Sequence, residues 1–202
     1  MDPAPFFDRP AESLEHALDL IAAWRVHAAV PRPVIAIGGP VGSGKSTLAA
    51  RLSKTPISTD DFLPDYDRVA EYERDDPAHA DLPALRDALR ALRAGFAATI
   101  PVWSFKEHRR VGERRVEPGP VIVCEGIHAL HPTLHEAHDL RVFIDAPPAT
   151  RWARWEAIER AGERGMGVDR AREHFDRVAE PSFHRVAAEY RASAQLVVRN
   201  HG

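Results

Sequence analysis

A glycine-rich segment follows the first apolar run of the chain and fits the pattern G-x-x-x-x-G-K-[ST]. Its glycines let the backbone curl, so that successive N–H groups point inward and form an anion-binding nest at the start of a helix. The lysine can then reach the β- and γ-phosphates of a nucleotide, and the hydroxyl beside it can bind Mg²⁺. The residues of this predicted phosphate site are Gly39, Pro40, Val41, Gly42, Ser43, Gly44, Lys45, Ser46 and Thr47.

Short apolar runs alternate with amphipathic segments on both sides of the phosphate site. We predict strands at residues 34–37, 56–59, 121–124, 140–144 and 196–198, and a hairpin that pairs residues 99–105 with 114–116. Helices are predicted at about residues 11–29, 45–52 and 83–95, a further Arg-rich helix begins at Pro147-Pro148, and Asp169 is expected to cap the next one. Strands that are buried on both faces and alternate with helices form a parallel sheet, because right-handed crossovers permit little else.

These elements predict an α/β fold, the three-layer sandwich of P-loop NTPases with a central parallel sheet. The 202 residues suit one domain, residues 1–202, with a helical Arg-rich lid at about residues 149–180.

Composition excludes several classes of function. The net charge of −3 argues against a general binder of nucleic acid or membrane surfaces, so the expected partner is a small-molecule substrate. The single cysteine, Cys124, cannot form an internal disulfide. The first thirty residues contain no apolar run long enough for a signal or a membrane span, which makes a cytoplasmic location the expectation. A homo-oligomer is left open.

Two acidic residues follow predicted strands, where a parallel sheet places its ligand-facing side chains. Asp60 comes after the second strand and is a candidate general base that can also touch Mg²⁺ through water. A helix cap or a solvated turn is the alternative for this residue. Glu125 closes the strand at residues 121–124 and is expected, with Ser46 and Asp60, to organise Mg²⁺.

Four arginines lie along the predicted lid, namely Arg151, Arg154, Arg160 and Arg164. Such a group can close over ATP and stabilise the charge of the transition state, although a solvated helix face competes for most of them. We select Arg160 and Arg164 as the catalytic candidates.

Four histidines, His128, His131, His135 and His138, have roughly helical spacing. Since they have no cysteine partners and Pro132 interrupts them, we expect surface histidines rather than a zinc site. His128 alone is close enough to Glu125 to reach a substrate.

The class of phosphate-binding protein is narrowed by what the sequence lacks. It has no guanine-reading N-K-x-D motif, and it is short for a motor ATPase. A kinase that moves the γ-phosphate of ATP to a hydroxyl is therefore favoured, and a non-catalytic regulatory protein that binds ATP as a signal is the alternative.

Further motifs extend this interpretation: Thr59-Asp60-Asp61-Phe62, Pro101-Val102-Trp103-Ser104-Phe105 with His108 and Arg110, and Val123-Cys124-Glu125-Gly126-Ile127. Together with the phosphate loop they resemble the uridine kinase and phosphoribulokinase-like family of P-loop kinases, which also includes type I pantothenate kinases. The resemblance runs from about residue 34 to the C-terminus. It implies ATP and Mg²⁺ as cofactors and a nucleoside such as uridine or cytidine as the favoured acceptor, with pantothenate or a sugar-type alcohol next.

By the same resemblance, Asp75 would hold the ribose hydroxyls, Trp103 and His108 would flank the base, and Arg110 would belong to the substrate site. The chain departs from uridine kinases at several acceptor-side positions. Trp103 replaces a tyrosine, Ser104 replaces an aspartate, and Trp155 replaces a lid arginine. These departures affect the identity of the acceptor more than the kinase assignment.

Overall fold

The computed structural model describes residues 7–201 and has a five-stranded parallel sheet with the order β2-β5-β1-β6-β7. The sheet strands are β1 (Val34–Gly38), β2 (Ile57–Ser58), β5 (Ile122–Glu125), β6 (Leu140–Asp145) and β7 (Leu196–Arg199). A separate antiparallel hairpin consists of β3 (Ala98–Ser104) and β4 (Arg109–Val116). The helices are α1 (Leu14–Ala28), α2 (Lys45–Leu52), α3 (Leu82–Arg93), α4 (Pro148–Arg160), α5 (Val168–His174) and α6 (Glu180–Ser193).

Helices cover both faces of the sheet. All five residues of β1 are buried, as the unbroken apolar run predicts. Ile35 and Ile37 point to one face and pack against α1 and α2. Val34 on the other face contacts the cluster of α3 and the hairpin, and Ala36 packs against α6. The α/β class and the central parallel sheet are therefore confirmed.

Helix boundaries follow local signals. Ser13 caps α1 by accepting a hydrogen bond from the N–H of His16. The Asp81 side chain caps α3, with Pro83 in the first turn. The expectation that Asp169 caps a helix is wrong, because α5 begins after Gly167 and Asp169 lies inside its first turn.

No helix in the described part of the chain is long and apolar enough to span a membrane.

The expectation of surface histidines is also wrong. His128 and His138 are buried, and His131 and His135 are half-buried. The reason is that residues 132–137 form a 3₁₀ helix that packs Leu134 into the core beneath α3.

Burial of His138 predicts a loss of stability in acid. Burial, with smaller contributions from the nearby His135 and Arg141, lowers the pKa of this imidazole to about 3. Below pH 6.5 the unfolded chain therefore binds a proton that the folded protein does not. Stability falls as the pH decreases from there toward the folded-state pKa, by about 1.4 kcal/mol for each pH unit.

We expect His138→Leu to remove this share of the pH dependence. Urea unfolding between neutral pH and acid should show a smaller loss of stability for this variant than for the wild type. Replacement of the exposed His201 serves as the control. An identical pH dependence for His138→Leu and wild type would contradict the explanation.

Candidate active site

The loop between β1 and α2 can adopt its shape only with glycine. Gly42 and Gly44 have φ values of +73° and +103°, in the left-handed region. A Cβ at Gly42 would lie 2.4 Å from the carbonyl oxygen of Arg151, and one at Gly44 would lie 2.5 Å from Nδ2 of Asn200. The loop is thus pressed against α4 and against the end of β7.

Side-chain donors bind the outward carbonyls of this loop. Nδ2 of Asn200 donates to the carbonyl oxygen of Ser43 at 2.8 Å. Nη1 of Arg154 donates to that of Gly42 at 3.1 Å and to that of Ser43 at 3.4 Å. A loop that turns its N–H groups inward leaves carbonyls facing outward, and these need partners when they are buried. Arg154 and Asn200 supply them.

The carboxyl ends of three strands place the acidic residues beside the loop. Glu125 pairs in register with Ile37 of β1 on one side and with Ser58 of β2 on the other. Asp60 follows β2 in a short 3₁₀ helix. Gly126 allows close packing here, since a Cβ on it would lie 1.9 Å from Oγ1 of Thr59. Both carboxylates therefore line the same cavity.

Charges in this cavity influence one another. Lys45 is buried and its Nζ donates to the carbonyl oxygen of Pro40 at 2.9 Å. Burial lowers the pKa of Lys45, while the carboxylates of Glu125 and Asp60 oppose that shift. Burial raises the pKa of Glu125 to about 7, with Asp60 adding repulsion. Oγ of Ser46 donates to Oε1 of Glu125 at 3.3 Å, which brings two oxygen groups to one place.

The cavity that these residues share has a volume of about 300 Å³. Lys45, Ser46 and Glu125 lie together on its wall, and the charge of Asp60 acts on both Lys45 and Asp75. The remaining wall is largely aromatic and apolar, and is formed by Leu63, Tyr66, Phe105, His108, Trp155 and Met166.

An aromatic cluster of Tyr66, Trp103, Phe105 and His108 forms the hairpin side of the cavity. The rings of Tyr66 and His108 stack at 5.2 Å with 15° between their planes. Trp103 packs behind them, 4.9 Å from the Tyr66 ring, and its Nε1 donates to the carbonyl oxygen of Pro64 at 3.3 Å. Tyr66, Phe105 and His108 line the cavity, whereas Trp103 is only 6% exposed and supports them from behind.

Asp75 lies deep in the acceptor side of the cavity. Burial and, to a smaller extent, the Asp60 carboxylate raise its pKa to about 6, against the opposing charges of Arg164 and Arg74. Its Oδ2 lies 3.9 Å from Nε2 of His174. His128, predicted to reach the substrate, instead lines a separate cavity of about 20 Å³ behind Asp75.

The four lid arginines have different environments. Arg154 and Arg164 line the cavity. Arg151 is buried and forms a bidentate ion pair with Glu180 of α6, so it fastens α4 to α6. Arg160 is exposed and its Nη2 donates to Glu156 at 2.8 Å, outside the cavity. The Arg-rich lid is not confirmed as a unit.

Arg110 is another predicted substrate residue that lies away from the cavity. Its guanidinium is exposed and pairs with Glu113 on the same strand. Its backbone N–H donates to Oδ1 of Asp65 at 2.8 Å, which fastens the hairpin to the loop after β2. Arg110 therefore supports the site through its backbone and does not line the cavity.

Several residues that line or support the cavity belong to no sequence motif and were not predicted, namely Tyr66, Glu159, Met166, His174 and Asn200. Asn200 could have been found, since it follows β7 at the same sheet edge as Asp60 and Glu125. The others lie in segments whose position depends on tertiary packing.

Comparison with known proteins gives the family. The model of the phosphoribulokinase / uridine kinase family matches residues 62–201. The uridine kinases of Salmonella paratyphi B and Salmonella typhi are each 30% identical over 188 residues, which cover 84% of this chain and 87% of theirs.

Two solved structures show a similar fold. A putative fructose transport system kinase from Silicibacter sp. TM1040 superposes with a TM-score of 0.66 at 20% identity, covering 83% of this chain and 89% of its own. A possible uridine kinase from Bacillus stearothermophilus gives 0.58 at 19% identity, covering 92% and 98%. The matched family model and the sequence relatives confirm the resemblance, and the chain belongs to the phosphoribulokinase / uridine kinase family.

Proposed function

We propose that this protein is an ATP-dependent kinase that transfers the γ-phosphate to a hydroxyl of a small molecule, with a nucleoside such as uridine or cytidine as the favoured acceptor. The main support is one cavity in which the phosphate loop, Lys45 and Glu125 form a nucleotide end, aromatic side chains with Asp75 form an acceptor end, and the charge of Asp60 acts on both Lys45 and Asp75. A site for phosphate transfer needs both ends within reach of each other.

The residues present fit the expected cofactors. The positive φ values of Gly42 and Gly44 fit a loop that curls so that its backbone N–H groups point inward toward a phosphate. Ser46 and Glu125 offer oxygen ligands, and Mg²⁺ in kinases typically uses one or two protein oxygens with phosphates and water. When bound, Mg²⁺ would neutralise charge on the phosphates.

Each side chain then has a defined task. Lys45 places positive charge at the β- and γ-phosphates. Asp60 accepts the proton of the acceptor hydroxyl while the oxygen of that hydroxyl attacks the γ-phosphorus of ATP and ADP leaves. Burial raises the pKa of Asp60, against the effects of Arg164 and Lys45, and this makes the carboxylate a better base. Arg164 lines the cavity and is the cation that we assign to the acceptor side.

The charges around the acceptor end favour a neutral acceptor. Two buried carboxylates, Asp60 and Asp75, face the cavity there; Arg164 is near both, with Lys45 also near Asp60 and Arg74 near Asp75. A carboxylate-bearing acceptor such as pantothenate would be repelled by both. The stacked rings of Tyr66 and His108 suit a flat base. A sugar-type alcohol is the second candidate, since the same two carboxylates can accept hydrogen bonds from neighbouring hydroxyls.

An acceptor screen with labelled ATP tests the proposal, and we expect uridine or cytidine to be phosphorylated. The 2′-deoxy forms should be about tenfold to a hundredfold poorer, because the missing hydroxyl leaves the buried Asp75 unpaired at about 1–3 kcal/mol. Asp75→Ala should reduce this difference to about twofold. Asp76→Ala is the matched control, since Asp76 caps a neighbouring turn and does not line the cavity.

Turnover of pantothenate or a free sugar without any nucleoside would contradict the nucleoside proposal and leave a kinase. Absence of transfer to every acceptor, with ATP still bound, would favour the regulatory alternative.

A further inference from the structure

A single buried carboxylate, that of Glu159, holds the segment after α4. Glu159 lies in the last turn of α4 and is only 5% exposed. Its Oε2 accepts hydrogen bonds from the backbone N–H groups of Met166 and Gly167, both at 3.0 Å. Its Oε1 accepts one from Nε1 of Trp155 at 3.1 Å. No ion pair to Glu159 occurs among residues 7–201, so these three donors satisfy its charge.

The segment of residues 161–167, here called the Arg164 loop, is tied to α4 by backbone hydrogen bonds at Ala161, Gly162 and Glu163, but no N–H group of residues 164–167 donates to a backbone carbonyl of the chain that the structure describes. Gly162, Gly165 and Gly167 have φ values of +71°, +76° and +83°. A Cβ at Gly162 or Gly167 would meet no atom within 4 Å, so packing does not fix these turns. A glycine-rich loop with open surroundings has many accessible conformations. The two N–H bonds to Glu159 select one of them.

Arg164 depends on both of the groups that Glu159 holds. Its guanidinium lies 5.5 Å from the ring of Trp155 and 4.4 Å from that of Phe105. Trp155 is oriented by Oε1 of Glu159, and the loop backbone two residues after Arg164 is fixed by Oε2. One carboxylate thus fixes one of the two rings beside the cation, that of Trp155, and the backbone that carries the cation.

We propose that Glu159 is the positioning residue for Arg164, and that it sets the rate of phosphate transfer through that arginine. Glu159 lines the cavity, but both oxygens of its carboxylate are bound by Trp155, Met166 and Gly167. The proposal rests on the proposed function, in which Arg164 is the cation on the acceptor side. Glu159 belongs to no sequence motif and acts through three neutral donors rather than through an ion pair.

A double-mutant cycle tests the proposal. Glu159→Gln keeps the size of the side chain but has only one oxygen. That oxygen can accept either from Trp155 or from the N–H groups of Met166 and Gly167, and the NH₂ group then faces the remaining donor. We expect kcat to fall about tenfold to a hundredfold with KM for ATP within about twofold, since loss of alignment affects the chemical step. In an Arg164→Ala background the same substitution should change kcat less than about twofold.

Glu156→Gln is the matched control. Glu156 lies one turn earlier on α4, pairs with the exposed Arg160, and does not line the cavity. It should leave kcat unchanged in both backgrounds. An equal loss of kcat from Glu159→Gln with and without Arg164 would overturn the proposal, as would a wild-type kcat for Glu159→Gln. If Glu159→Gln does not fold, Glu159→Asp, which keeps the charge and shortens the reach, goes through the same cycle.

Amide hydrogen exchange of the Arg164 loop provides a readout that does not need activity. We expect the Met166 and Gly167 amides to exchange at least about tenfold faster in Glu159→Gln than in wild type, and Glu156→Gln to match wild type. Unchanged exchange would overturn the positioning role. A wild-type protein that transfers phosphate to no acceptor would instead defeat the proposed function, and the exchange result would still decide whether Glu159 holds the loop.

Discussion

Replacing Lys45 with alanine is expected to lower phosphate transfer on the order of 10³-fold while the fold survives. The loop around Lys45 is shaped by glycine backbone and held from outside by Arg154 and Asn200, so the lysine contributes charge rather than architecture. Its single hydrogen bond, to the carbonyl of Pro40, is replaceable by water once the site is open. Initial rates with labelled ATP and thermal unfolding measure the two effects separately.

Lys54→Ala is the control for this variant. It also removes one lysine, but from an exposed position just beyond α2. It should retain wild-type turnover. Near-wild-type turnover of Lys45→Ala would defeat the assignment of the phosphate loop.

Asp60→Asn should abolish turnover and leave the affinity for ATP with Mg²⁺ within roughly tenfold, because a base acts on the acceptor and not on the nucleotide. The substitution keeps the shape of the side chain and removes its capacity to take a proton. Nucleotide titration of the variant, together with rate measurements, distinguishes a general base from a metal ligand at Asp60.

The neighbouring Asp61→Asn is the matched comparison. Asp61 does not line the cavity; its Oδ1 accepts the N–H of Trp103 at 3.3 Å, which the amide oxygen of asparagine can still do. This variant should keep activity within about tenfold of wild type. If instead Asp60→Asn loses nucleotide binding and retains much of its turnover, Asp60 is a metal ligand and another base must be sought.

The sequence was sufficient to predict the parallel sheet and the acidic residues beside the phosphate loop. Continuous apolar runs mark β1 and β5, and only Arg141 interrupts the run of β6, since a strand covered on both faces has few polar positions. Asp60 and Glu125 could be placed together because each follows such a strand, and the carboxyl ends of parallel strands meet at one edge.

The roles of the α4 arginines and the acceptor end of the cavity could not be derived in the same way. The arginines along α4 cannot be told apart in the sequence. Arg154 binds backbone carbonyls of the phosphate loop, more than a hundred positions earlier in the chain. No sequence pattern marks a carbonyl that needs a donor. Trp103 occupies a motif position that faces the cavity by resemblance, yet its side chain turns inward beneath Tyr66. Tyr66 itself lies in an irregular segment whose course depends on the hairpin.

Helix α4 contacts both ends of the cavity. Arg154, in its middle, binds the phosphate loop, and Glu159, in its last turn, binds the Arg164 loop. Its 13 residues form a rod of about 20 Å that cannot tilt at one end alone. We therefore expect a nucleotide that shifts this rod to shift the acceptor end with it, and so to change the affinity for the acceptor. By thermodynamic reciprocity, the factor by which the nucleotide changes acceptor affinity equals the factor by which the acceptor changes nucleotide affinity.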